Sequence, residues 1–124
     1  MLRLGLSAFV VALFLASAAA QVVSYDYDGV YIGSADPAPG LSGPNCAPLP
    51  LNRIEIRNGA LRAYDNYKRQ SVKGIVTPSG FFNADYYFPG RQGVVFEGRI
   101  DGGGGLSGGI MDGGCAWVVS MLRL

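Results

Sequence analysis

The 124-residue chain has no histidine, and only 15% of its residues are charged. Without an imidazole, the Ser-His-Asp and Cys-His nucleophile arrangements and the HExxH metal site are excluded, and the commonest general base is gone. Carboxylates, Tyr, Lys, Ser and Cys remain for chemistry, and no motif among them sets a nucleophile beside a base. We therefore expect no enzyme activity. Ten basic against nine acidic residues give a net charge of +1. So even a balance carries no electrostatic footprint for nucleic acid, an anionic membrane surface or an acidic substrate. Only two cysteines occur, with no CxxC pair, so the usual thiolate metal sites are not expected either. Convincing helices are missing as well, and the length allows one domain.

What is present begins with an address. Arg3 is followed by an apolar run from Leu4 to Leu15 and then by the small residues Ala16 to Ala20. This pattern reads as a secretory signal peptide over residues 1–20, cut after Ala20 to leave one domain over 21–124. The run is shorter than the roughly 20 residues a membrane helix needs, so no membrane span is expected after its removal. A transmembrane barrel would need strands of about 9 to 11 residues, and several strands read below are shorter. The expected location is the periplasm or the medium. There, in an oxidising compartment, an even pair of cysteines reads as one disulfide, Cys46 to Cys115.

Eighteen of the 19 glycines follow Gln21, which favours tight turns over helices. Asn58-Gly59 is the preferred pair for a type I′ hairpin turn, and residues alternate on both sides of it. If Arg57 faces Ala60, then Ile56 meets Leu61 on one face and Glu55 meets Arg62 on the other. A second hairpin turns at Thr77-Pro78-Ser79-Gly80, setting Val76 against Phe82, Gly74 against Ala84, Val72 against Tyr86, and Lys73 against Asp85. A first strand over Tyr25 to Gly33, a sixth over Val94 to Asp101, a seventh over Leu106 to Met111 and an eighth over Cys115 to Leu124 complete the set. Asp36 to Pro50 holds five of the seven prolines and Cys46, and reads as an irregular loop pinned by the disulfide.

The expected fold is all-β: an eight-stranded antiparallel up-and-down meander closed, or partly closed, into a small barrel, which hides the sheet edges. A two-layer sandwich is the alternative. The Gly-rich run from Asp101 to Gly114 lacks the Gly-Lys-Ser/Thr of a phosphate loop and the repeats of a calcium-binding array, so it reads as turns. No metal and no cofactor are expected.

Seven tyrosines supply the candidate binding residues. Tyr64 and Tyr87 point outward in the registers above, with Arg53 nearby, and suit a protein partner or a sugar ring. Tyr31, Phe82, Tyr86 and Phe96 face inward and would line a pocket for a small apolar ligand. Gly74, Gly98 and Gly108 on the inner face either leave room for such a ligand or let large neighbours close in.

The string Asp28 to Gly33, mid-chain Cys46, the Arg57-Asn58-Gly59 turn, and Cys115-Ala116-Trp117 with Arg123 resemble a group of small, secreted, uncharacterised bacterial β proteins. That resemblance implies export, an all-β domain and one disulfide. Gly29-Val30-Tyr31 with the last-strand Arg123 is also similar to the Gly-x-Trp and Arg of the calycins, the lipocalin and avidin kind of barrel, with Tyr31 in the place of the Trp. This second likeness implies a ligand at the barrel mouth. The functional expectation is an exported interaction or structural module of the bacterial envelope. Its alternatives are a calycin-like small-ligand barrel and an inhibitor of a protease or lysozyme.

Overall fold

The Asn58-Gly59 pair turns the chain as its composition requires: both residues have positive φ, 54° and 74°, a conformation that Asn tolerates and Gly adopts freely. Around it, Arg57 stands opposite Ala60, Ile56 opposite Leu61 and Glu55 opposite Arg62. The second hairpin takes the expected register at all four pairs, and Thr77 closes its turn by donating to the Phe81 carbonyl at 2.8 Å. In the computed structural model, residues 24–65, 70–87 and 93–124 are described, with only the backbone described for Tyr64 and Asp65. The segment read as a signal peptide lies outside them.

Eight strands follow in order: β1 (Gly29–Pro37), β2 (Arg53–Arg57), β3 (Ala60–Asp65), β4 (Gln70–Val76), β5 (Phe81–Tyr87), β6 (Val94–Ile100), β7 (Gly105–Asp112) and β8 (Cys115–Arg123). Each pairs antiparallel with the next, and β1 pairs with β8, so the sheet closes into a barrel. Closure uses β1 twice. Its first residues, Gly29 to Ile32, pair with β2, while Tyr31 to Pro37 pair with β8.

The first strand begins and ends four residues later than the sequence suggested. Tyr25 to Asp28 form a turn, with the Asp28 amide donating to the Tyr25 carbonyl. The Asp28 carboxylate then accepts from the amides of Asn58 and Gly59 at 2.7 and 3.1 Å, tying the entry of β1 to the tip of the first hairpin. At the far end, Asp36 and Pro37 belong to β1, not to the loop. Pro37 stands at the strand terminus, where its missing N–H costs little.

Alternation decides what is inside. Phe82, Ala84 and Tyr86 of β5 are buried while Phe81, Asn83, Asp85 and Tyr87 are exposed. The inner residues form one continuous apolar core that includes Tyr31, Ile54, Leu61, Phe96, Ile110 and Val119. The outer face mixes Arg53, Arg57, Arg62, Lys73, Asp85, Glu97 and Arg99 with exposed apolar residues that include Ile75, Phe81, Val95, Val118 and Leu122. Among the described residues, no helix is long and apolar enough to cross a membrane.

Candidate functional site

The candidate binding residues separate into two groups. Tyr31, Phe82, Tyr86 and Phe96 are all inside, each at most 3% exposed. The rings of Phe82 and Phe96 meet edge to face with centroids 4.9 Å apart. Glycines make this possible. A Cβ on Gly98 would sit 2.8 Å from Cζ of Phe82, and one on Gly108 would sit 2.7 Å from Cε1 of Phe96, so the two rings occupy the room these residues leave. The Tyr86 hydroxyl donates to the buried Gln70 side chain.

Arg53 and Tyr87 lie on the outer face, Tyr87 being 44% exposed, but on β2 and β5 with β3 and β4 between them. The side chain of Tyr64, the third outward candidate, lies outside the described residues.

One end of the barrel gathers Gly29, Tyr31 and Arg123. Tyr31 stands opposite Arg123, whose guanidinium lies over the Tyr31 ring at 6.0 Å. Gly29 has φ +150° and would place a Cβ 2.7 Å from Cδ of Arg123, so both the backbone and the arginine need a glycine there. Arg123 donates to the Asp26 carbonyl at 3.2 Å, and the Tyr31 hydroxyl donates to the Tyr27 carbonyl at 2.7 Å. Burial pushes the Tyr31 pKa up, an effect that the neighbouring Arg123 partly opposes.

The other end is closed by the Pro-rich segment, which runs from Ala38 to Asn52 once β1 has ended. Cys46 is bonded to Cys115, with Cα atoms 5.7 Å apart. The Ser42 hydroxyl donates to the Ala116 carbonyl and accepts from the Ala116 amide, so one side chain grips both backbone groups of one residue. The indole of Trp117 donates to the Ala47 carbonyl at 2.8 Å. Backbone bonds from Ala38 to Ala116, Gly43 to Gly114 and Leu49 to Ala35 complete the strap. The segment nevertheless faces outward: Leu41, at its tip, is 74% exposed in a turn closed by its own amide to the Ala38 carbonyl.

Leu41 and Ser42 were not singled out by sequence, and Trp117 was named only within the motif that carries the resemblance. Trp117 was the one with a signal, since it shares the face of β8 with Cys115 two residues before it, and so lies beneath whatever the disulfide ties down.

Asp101, Asp28, Asp36 and Glu55 serve the backbone or a neighbouring side chain. Asp101 accepts from the amides of Gly105 and Gly103, which hold its pKa below the usual carboxylate value. Asp28 caps the first hairpin, Ser34 donates to Asp36, and Glu55 pairs with Arg57. Among the described residues, no cluster of three or more His, Cys, Asp or Glu could hold a metal ion. Compared with protein-family models, curated proteins and solved structures, the chain has no match.

Proposed function

We propose that the protein is an exported, non-enzymatic interaction module of the bacterial envelope, and that the strapped segment around Leu41 is the surface its partner grips. The signal-like residues 1–20 support export to the periplasm or beyond. The observation that carries the reading is an exposed apolar tip on an immobilised backbone. An apolar side chain 74% exposed on a segment fixed by a disulfide, Ser42 and the Trp117 indole has already lost the conformational freedom that binding would otherwise cost. Inhibition of a protease or lysozyme is one form this role takes. The turn at Leu41 favours a plug over a substrate-like extended strand.

The test is a photo-crosslinking amino acid placed at position 41 and, as a control, at the exposed position 83 on β5, in cells that export the protein. A protein adduct at position 41, absent at 83 and lost when crosslinking from a neighbouring loop position is repeated with Leu41→Asp, supports the reading. Equal adducts at both positions, or none, count against it. A second reading, the calycin-like ligand barrel, draws on the Gly29, Tyr31 and Arg123 arrangement. Native mass spectrometry separates the two, because a small mass that leaves on denaturation would favour the ligand barrel.

A further inference from the structure

The near-zero net charge conceals a separation of charge. Between Arg53 and Lys73 the sequence holds six of the nine basic residues that follow Ala20, and only two of the nine acids. Four of these cations, Arg53, Arg57, Arg62 and Lys73, stand on the outer face of the three adjacent strands β2, β3 and β4.

The patch contains a groove of about 470 Å³ lined by Glu55, Arg57, Asn58, Ala60 and Arg62. Its shape follows from the hairpin register. Ala60 stands opposite Arg57 and beside Ile75, so a short side chain forms the floor between long ones. Arg62 stands opposite Glu55 on one side and Lys73 on the other. The Glu55 carboxylate is 2.6 Å from Nη2 of Arg57, which orients that guanidinium, and among the described residues nothing pairs with Arg62.

We propose that this groove binds an acidic sugar, a uronic-acid-type residue of a glycan. The guanidinium of Arg62, reinforced by Lys73 and Arg57, takes the carboxylate in the forked geometry that arginine offers. Asn58 and the remaining oxygen of Glu55 take ring hydroxyls, the amide as donor and acceptor and the carboxylate as acceptor. The apolar face of the ring lies on Ala60, and Ile75, 67% exposed, borders the groove as the β4 neighbour of Ala60. A groove of about 470 Å³ falls within the size of small-ligand sites. Glu55 selects for a sugar carboxylate over a phosphate, because a fixed negative charge in the wall repels a dianion more than a monoanion. This site lies on the side wall of the barrel and does not depend on the role proposed for Leu41.

The experiment is calorimetric titration of the oxidised mature chain, at low salt, with an oligogalacturonate, a neutral malto-oligosaccharide and inorganic triphosphate. Oligogalacturonate is expected to bind and the neutral oligomer not to. Arg62→Gln is expected to weaken binding about tenfold, the loss typical of one charged hydrogen-bonding partner. Ala60→Leu fills the floor with no change of charge and is expected to weaken it at least as much, while Ser120→Ala, on the outer face of β8, leaves it unaltered. An unchanged thermal midpoint shows that each variant is folded. The proposal is overturned if oligogalacturonate does not bind. It is overturned equally if Ala60→Leu binds like the parent, which would mean diffuse attraction of a polyanion, or if triphosphate binds more tightly through Arg62.

Discussion

Replacing both cysteines, Cys46→Ser with Cys115→Ser, is expected to cost stability through the unfolded chain more than through the barrel. The bridge joins residues 69 apart, and closing a loop of that length removes entropy worth about 4 kcal/mol at 25 °C from the denatured ensemble. In the native state the strap keeps its other fastenings, the Ser42 grip on Ala116 and the Trp117 bond to Ala47, each worth about 1 kcal/mol. The barrel should therefore remain folded at room temperature but sit close to its limit, since domains of this size are stable by only about 5 to 15 kcal/mol. At about 4 to 8 °C per kcal/mol, the thermal midpoint falls by roughly 20 °C. Urea unfolding followed by the emission of Trp117, the chain's one tryptophan, reads both the loss and its origin. A less constrained denatured state exposes more surface, so the denaturant slope should rise as the midpoint falls. A midpoint within about 5 °C of the parent would refute the reasoning.

Asp28→Ala removes the acceptor of two backbone amides at the first hairpin turn and should destabilise by about 2 kcal/mol in the same urea assay, while Asp28→Asn, which keeps an acceptor, should cost less. Gly108→Ala pushes a methyl against the Phe96 ring and the neighbouring strand, and about 1 to 3 kcal/mol of overpacking strain is expected, read as a lower midpoint with altered near-ultraviolet dichroism. The pH profile of stability should fall at both ends. Asp101 titrates below its unfolded value, so its contribution is present above about pH 4 and is lost as the pH drops through the folded pKa; Asp101→Asn should flatten that limb. Tyr31 titrates above its unfolded value, so its contribution holds below about pH 10 and is lost as the pH rises through the folded pKa; Tyr31→Phe should remove that step from an alkaline titration.

The two hairpins were legible because their turns announce themselves and one register alone sorts apolar from charged residues on both sides of each turn. Closure was legible as a way to hide the edges of a meander. The start of β1 was not, because Tyr25 and Tyr27 fit a strand by composition, while the turn depends on Asp28 reaching amides 30 and 31 residues away. The filling of the interior was ambiguous for a similar reason: whether Gly98 and Gly108 leave space or surrender it depends on which rings point at them from β5 and β6. The Pro-rich segment could be read as a loop pinned by the disulfide, but its grip on β8 also runs through Ser42, whose sequence context resembles any turn. The cationic face escaped notice because net charge sums over the whole chain, whereas a ligand meets only the strands that stand side by side.

Closing the barrel with β1 against β8 also fixes how the molecule would respond to force. The strands are antiparallel, so the chain enters at Gly29 and leaves at Arg123 from the same end, and Leu124 donates to the Val30 carbonyl. Tension on the two termini would load the seam as a zipper, opening it one pair at a time from Tyr31 and Arg123 toward Pro37 and Trp117. The disulfide stands at the far end of that seam. Peeling stops there, with residues 46–115 held in a covalent ring that tension on the termini cannot extend.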